Sequence, residues 1–558
     1  MIDPPRLTRA SAEDFFIPGI DRGMAVIKGQ SGAPAFAHPL DFGAVALASD
    51  VEQQLELCDA VADIRRTIWK NGVIFPTVLA VASDVGFHDK YVTVTGKYLI
   101  SAGAGRRLLA RYRRLGRKQA IQAAIVSRRF KTASLDCEIY QPESNEDWRF
   151  LPFVIEARNF FNYYHFLTEA LPLLTLVHSN NLIGPIIFVT ASGTGIRRFA
   201  YDLIETWFPE LRNRIHFSRG TLNEEKAIVA LSSRDFYEPP DSLSPSDGDR
   251  CSNSLAARQD STLVSQIVGR NSTDKPLQAL RQIVLPRVLH SHARSRRLYV
   301  KRRSRRTRRV IGEHLLEPLL ESMGFETIYF EDMSVRDQAT AVAQAECIVA
   351  LHGAGLANML FAPRNCLILE LSNFQTLIGR FGDFNALALS AGVRYFHVFL
   401  DHDHSDKTVL PRIISDGHRG VEIAEFDAKV IASIIHSALD EDSYRSALNL
   451  CRSLNEEKWT MKHREQLQSF SHILYHNPDW HVWRANVFSQ IGDKSTTLHH
   501  LRRAMKLAPE RLPLLRRVAV VSKEINDEQS FLEAIACFMH RDAKKCTLFL
   551  KSMGHPLL

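Results

Sequence analysis

The segment from Cys347 to Leu371, CIVALHGAGLANMLFAPRNCLILEL, limits the choice of fold more than any other stretch of the 558-residue chain. An apolar run ends in His352-Gly353-Ala354-Gly355. Small residues suited to a helix start follow, then Pro363, then a second apolar run that reaches Glu370. Strand, glycine turn, helix and strand in close succession make one βαβ unit. Glycines at a strand's carboxyl end let backbone N–H groups come close to a ligand, and the adjoining helix N-terminus favours negative charge. The loop is expected to hold the phosphates of a nucleotide. The competing reading is a packing turn, because GxG lacks the third glycine and the distal acid of the dinucleotide fingerprint.

The length allows about two to four domains, and 45% hydrophobic with 24% charged residues is an ordinary globular balance. Eight scattered cysteines without a CxxC pair fit a reducing compartment and argue against a zinc site. The N-terminus, MIDPPRLTRASAEDFF, has no basic segment followed by an apolar core, so no signal peptide is expected. No run of about 18 uncharged apolar residues is present, so no spanning helix is expected either. The expected location is cytoplasmic, with peripheral contact at the inner membrane. That contact would come from Arg106 to Lys131, RRLLARYRRLGRKQAIQAAIVSRRFK, a basic amphipathic helix suited to anionic lipid headgroups. The bland alternative is a solvated basic face.

The organisation reads as α/β. Residues 1–140 form an N-terminal region packing on the first lobe. From Leu151, LPFVIEA, a helix from Asn159 to His178, PIIFVT and a helix from Ile196 to Phe208 alternate as in a parallel, doubly wound sheet, giving a Rossmann-like lobe over 141–240. The Ser-, Asp- and Pro-rich stretch from Pro239 opens a linker over 241–290. A second Rossmann-like lobe covers 291–424, with strands at LYV, Thr327–Phe330, the opening unit and Tyr395–Phe399. Residues 425–558 are helical, with turns at Gly492-Asp493 and Asn526-Asp527 that give a degenerate tetratricopeptide-like cadence. Such a tail suits a protein partner, or simply caps the second lobe. Ligands of two such lobes bind outside the carboxyl ends of the strands.

Ten of the sixteen residues from Arg294 to Arg309, RSRRLYVKRRSRRTRR, are Lys or Arg. The strand LYV runs into Lys301-Arg302-Arg303, which would face the same cleft as His352. Guanidinium groups fit phosphate oxygens. In NYYHFLTEALP, His165 and Glu169 lie four apart on one helix face. Such a pair can take a proton from a hydroxyl, or merely brace the helix. Asp401-His402-Asp403-His404 has metal-ligand residue types, Asp401 and Asp403 above all, but its polar setting points to a solvated loop.

Taken together, NYYHFLTEALP, RLYVKRRSRRTRRVIGEHLLEPLLESMGFE and AECIVALHGAGLANMLFAPRNCLILEL resemble glycosyltransferase family 61 over about residues 151–400. Lys301 and Ala357 depart from the common Ser and Thr. The resemblance implies a GT-B arrangement and an inverting single displacement from a nucleotide sugar, typically a UDP-sugar, with no metal or other cofactor required. It puts Lys301, Arg302, Arg303, His352, Gly353, Ala354, Gly355, Leu356 and Asn358 on the donor side, and Glu370 at the ribose hydroxyls. His165 becomes the base with Glu169 beside it, and Asn162 and Tyr164 lie on the acceptor side. The acceptor would be a glycan or glycolipid in surface polysaccharide assembly. Two other readings compete: a nucleic-acid-binding protein using the arginine stripe, and a non-catalytic scaffold using the helical tail. The stripe has no aromatic-interleaved platform or recognition helix beside it, which argues against nucleic acid.

Overall fold

The computed structural model describes residues 4–235 and 271–554, apart from short stretches at 30–33, 38–39, 68–71, 101, 134–137, 143–145, 158, 191–194, 290–294, 304–307, 412 and 455–460. The stretch from Pro239 read as the start of a linker lies outside the described residues.

Two large sheets organise the molecule. In the first, of nine strands, Phe153–Glu156 lies parallel to Ile186–Thr190, which lies parallel to Ile215–Arg219. The expectation of a purely parallel sheet is corrected on the other side. Asn223–Ser232 pairs antiparallel with Thr77–His88, and that strand leads into an antiparallel meander through Tyr91–Val94 and Lys97–Leu99. Positive-φ residues at Asp89, Lys90, Thr95 and Gly96 make its tight turns.

The second sheet, of eight strands, has a long parallel run. Phe325–Tyr329, Arg296–Lys301, Ala345–Leu351, Leu367–Asn373 and Arg394–His402 follow one another across it. Every residue of Leu367–Asn373 is buried, as expected of a parallel strand covered on both faces. The next neighbour of Arg394–His402 is Asp41–Ala46, parallel and in register from Arg394↔Asp41 to Phe399↔Ala46. The first 140 residues therefore belong to both sheets rather than to the first lobe alone.

The 241–290 boundary also changes. Lys275–Val288 is a helix that buries Leu277, Leu280, Val284 and Val288. They join a core cluster that includes Phe153 and Phe166 from one side and Ala339 and Leu360 from the other. A flexible connector would leave such side chains in water. From Glu425 onward the described chain is helical, with Asn477, Asp493 and Asp527 capping three of its helices through their side chains. The basic segment is two helices, Ala102–Arg113 and Arg117–Ala133, rather than one. Gly116, at φ 158°, stands between them. Among the described residues no helix is long and apolar enough to cross a membrane. The thiols of the described cysteines Cys58, Cys347, Cys451, Cys537 and Cys546 are free.

Candidate active site

The first wall is the helical segment 163–179. Asn162 caps it, accepting from the Tyr164 N–H at 3.0 Å, so Asn162 serves the helix start rather than a bound acceptor. Pro172 has no N–H to give a helical carbonyl, and just before it the helix widens into a π turn at Phe166–Ala170, in which the Leu171 N–H reaches Phe166 O. Such turns recur at functional sites. Here Glu169 lies in the widened turn. Its Oε1 is 3.1 Å from His165 Nδ1.

The reading from sequence missed the third member of this group. Arg107, from helix Ala102–Arg113, places Nη2 2.8 Å from His165 Nδ1 and Nη1 3.1 Å from Nε2, and it also bonds Glu169 Oε1. Burial works against the Glu169 carboxylate, but His165 and Arg107 outweigh it and hold its pKa below the ordinary value. Arg107, Tyr164 and Glu169 line a cavity of about 380 Å³ that Asp383 closes from the second lobe. Burial raises the Asp383 pKa, against the pull of Arg380 and more distant Arg107 and His352.

The second wall is the carboxyl edge of the parallel sheet. His352 O accepts from Arg302 Nη2 and from Arg308 Nη1, both at 2.9 Å. A Cβ on Gly353 would sit 1.4 Å from Arg302 Nη2, so any larger residue here would displace that guanidinium from His352 O. Gly355 faces Phe330, 3.2 Å from where its Cβ would stand. Ala354 opens the short 3-10 helix Ala354–Phe361, in which Leu356 is buried. Among the described residues neither Arg302 nor Arg308 has a carboxylate partner. Burial, with Arg302 and Arg380, lowers Arg308 to about 10. Burial, with Arg308, Arg380 and His352, pushes His418 down to about 4. Burial is the main cause of both shifts, and the neighbouring cations add to it.

Several expected contacts are elsewhere. Lys301 turns to Glu317 at 2.5 Å and Glu313 at 3.0 Å. Arg303 stacks on Tyr329 at 3.7 Å and pairs with exposed Asp332. Of Lys301, Arg302 and Arg303, Arg302 is the one that reaches His352, where Arg308 joins it. Glu370 is 0% exposed; it holds His352 Nδ1 at 2.6 Å and takes the Tyr395 hydroxyl, so it is not available to ribose hydroxyls. Burial opposes its ionisation, yet His397, His352 and Tyr395 hold the carboxyl down to about 2. Asn358 is also buried. Its Oδ1 accepts from Tyr163 OH at 2.7 Å and its Nδ2 donates to Gln338 at 2.9 Å, making it a clasp between the walls instead of a donor contact. Asp401, His402 and Asp403 are buried rather than solvated; Asp401 Oδ1 accepts from Ser49 N at 2.9 Å. Among the described residues no group of three His, Cys, Asp or Glu is placed to hold a metal.

The walls meet through rings. Tyr164 and His352 each pack edge-on against Phe384, with centroids 5.4 Å apart in both pairs. The combined site has a His–Glu pair on one side and unpaired guanidinium groups on the other. This is an arrangement for moving a proton beside a group that develops negative charge.

A family model described as Glycosyltransferase 61 matches residues 163–369. Beta-1,2-xylosyltransferase XYXT1 of Oryza sativa subsp. japonica is 35% identical over 77 residues, 14% of this chain and 16% of that protein. The chain thus matches less than a fifth of that relative's length. A solved structure of MamA matches 23% of this chain and 80% of its own at 13% identity, with a TM-score of 0.17, too slight to bear on the fold. The family match contains His165, Glu169, Arg302, Arg308 and His352, and leaves out Arg107 and Asp383. Residues 163–369, which carry these five side chains of the two walls, are therefore similar to glycosyltransferase family 61.

Proposed function

We propose that the protein is an inverting glycosyltransferase that moves a sugar from a nucleotide donor, a UDP-sugar, to a hydroxyl of a glycan or glycolipid acceptor in surface polysaccharide assembly. The observation that carries this is the pair Arg302 and Arg308 converging on His352 O without carboxylate partners, across the cleft from His165 and Glu169. The two lobes act as in a GT-B enzyme, the second holding the donor and the first the acceptor. His165 Nε2 takes the acceptor proton as the hydroxyl oxygen bonds to the anomeric carbon, and the bond from that carbon to the diphosphate breaks. Glu169 stabilises the imidazolium that results, and Arg302 and Arg308 stabilise the leaving diphosphate. In the free protein Arg107 Nη1 occupies Nε2 at 3.1 Å, so the acceptor hydroxyl takes its place there. The relative's name favours a pentose, xylose first, as the sugar transferred. The reaction requires no metal or other cofactor.

The wider setting follows the same reading. A cytoplasmic enzyme would meet a lipid-linked acceptor at the membrane through Arg117–Ala133, where Ile121 is 57% and Ile125 40% exposed among Arg117, Lys118 and Arg128. The tetratricopeptide-like tail offers a face to a protein partner. Nucleic acid is not expected as a ligand. Most of the described stripe is already paired, as in Arg296–Glu326 and Arg297–Glu346.

The deciding experiment is thermal stabilisation by a panel of nucleoside diphosphates, followed by hydrolysis of the matching nucleotide sugars. UDP should stabilise the wild type, Arg302→Ala should abolish the response, and a chelator should leave turnover unchanged. Indifference to every nucleotide would sink the reading.

A further inference from the structure

A cavity of about 790 Å³, away from the cleft, lies where the helical tail meets the second lobe. Its floor is the last turn of helix Glu313–Ser322 and helix Glu425–Leu439, and its walls are helices Pro478–Gln490 and Lys494–Leu507. Ser322 ends the helix that leads into the amino end of Phe325–Tyr329. Arg302 and Gly353, by contrast, follow the carboxyl ends of their strands. Because these strands are parallel, this cavity opens at the opposite edge of the sheet from the transfer site.

Its chemistry is one-sided. Among the described residues no Asp or Glu lines it, whereas Lys429, Arg484 and Arg503 do. Lys429 has one partner, exposed Glu425 at 2.5 Å. Arg503 lies over the rings of Tyr475 and Phe426 at 5.4 and 5.7 Å and has no carboxylate partner among the described residues. Arg484 is 7% exposed. It donates Nη1 to Arg464 O at 3.0 Å, and its buried Nε has no partner among the described residues. A second, independent signal is the Tyr475 hydroxyl. The residue is 93% buried by its 7% exposure, lines the cavity, and leaves its OH without a hydrogen bond. An orphaned buried hydroxyl costs free energy; the hydroxyl lies just beneath the cavity lining, and a ligand that accepts from it after a small shift of the ring removes that cost. Four histidines complete the lining, and burial lowers His500 to about 3 and depresses His436 and His499. These three lowered rings are neutral and can each donate and accept. Ser471, Ser495, Thr496 and Gln468 add neutral groups at the rim.

We propose that this cavity is a second glycan site that takes an acidic saccharide. The anionic group lies between Arg484 and Arg503 and accepts from Tyr475 OH. The sugar hydroxyls meet the serine, threonine, glutamine and imidazole groups. An anion alone would need the cations and nothing else; the surrounding hydroxyl and amide groups fit a polyhydroxylated ligand. The saccharide part rests on the glycosyl-transfer reading, while the anionic part rests on the cavity itself. A site apart from the transfer cleft would hold an already assembled acidic chain while its end is extended.

The test is calorimetric titration of the full chain with a galacturonate hexasaccharide, a neutral galactose hexasaccharide, a phosphorylated hexose oligosaccharide and inorganic phosphate. One of the two acidic oligosaccharides should bind, and which one does identifies the anionic group. The neutral one should not bind. Arg503→Gln should weaken binding by about tenfold, the loss of one charge-assisted bond. Tyr475→Phe, which keeps the packing, should weaken binding without lowering the Tm. Equal binding of the neutral oligosaccharide, binding of inorganic phosphate alone, or no effect in both variants overturns the proposal. UDP stabilisation measured on the same samples separates the two readings. Loss of acidic binding with the UDP response intact rejects the second site alone. Acidic binding without any UDP response rejects the transfer reading and leaves the cavity assignment standing.

Discussion

Two His–Glu pairs face the same cleft, and they are built for opposite tasks. In the second lobe Glu370 is fully buried, holds His352 Nδ1 and binds Tyr395 as well. Among the described residues His352 Nε2 has no partner. In the first lobe Glu169 lines the cavity, and both it and His165 share Arg107. The carboxylate of a His–Glu pair is structural when it is sealed beneath the sheet edge, and available for chemistry when it lies in a widened helical turn beside a cation. Residue type alone does not separate the two cases; burial and the third partner do.

Breaking the buried pair should give the largest effect. Glu370→Gln leaves His352 and Tyr395 with a poorer partner in a dry site and should cost about 3–5 kcal/mol of stability, as for other broken buried pairs, read by urea unfolding at pH 7. The sign with pH follows from its lowered pKa. A carboxyl depressed to about 2 contributes stability in full above its unfolded pKa of about 4.3, and loses it as pH falls toward 2. The wild type should therefore lose stability through that acid window more steeply than Glu370→Gln does.

Breaking the open pair should spare the fold and stop the reaction. His165→Asn is expected to lower kcat by about 10²–10⁴-fold, the usual contribution of a general base, with little change in Tm. An unchanged rate would move the base to Asp383 or His352. Arg107→Gln sharpens the comparison. Without a guanidinium that touches both His165 and Glu169, protonation of the pair becomes easier, so the acid limb of the pH–rate profile should move up by about one unit. A profile that stays in place would mean that Arg107 does not tune the pair. The smallest effect belongs to Arg303→Gln. This side chain is exposed on Tyr329 and Asp332, so stability should change by less than about 0.5 kcal/mol and the UDP response should persist.

The parts legible in the sequence were those in which local pattern and long-range packing agree. The Cys347–Leu371 unit is apolar because its strands are buried on both faces, and its glycine turn lies where the reading placed it. His165 and Glu169 meet because four residues make one helical turn. What was not legible came from distant contact. Arg107 sat in a basic run whose composition spoke of a surface, and only the packing of helix Ala102–Arg113 against 163–179 turns it inward. Arg308 could not be told from its neighbours in the stripe, since alternation and pairing with Glu313, Glu317 and Asp332 decide which cations remain unpaired. Glu370 looked like a strand-end ligand because the sequence does not say that Tyr395 and His397 close over it.

The strand Asp41–Ala46 has a consequence for how the chain is made. It leaves the ribosome before its partner Arg394–His402, which is about 350 residues behind it. At roughly 5–20 residues per second it waits tens of seconds for that partner. During synthesis the second sheet closes only when this early segment returns to it. A fragment begun after Ala46 would present the bare edge of Arg394–Phe399, an invitation to pair with another chain. The two lobes are thus stitched together by the order of translation, and neither is a separable cassette.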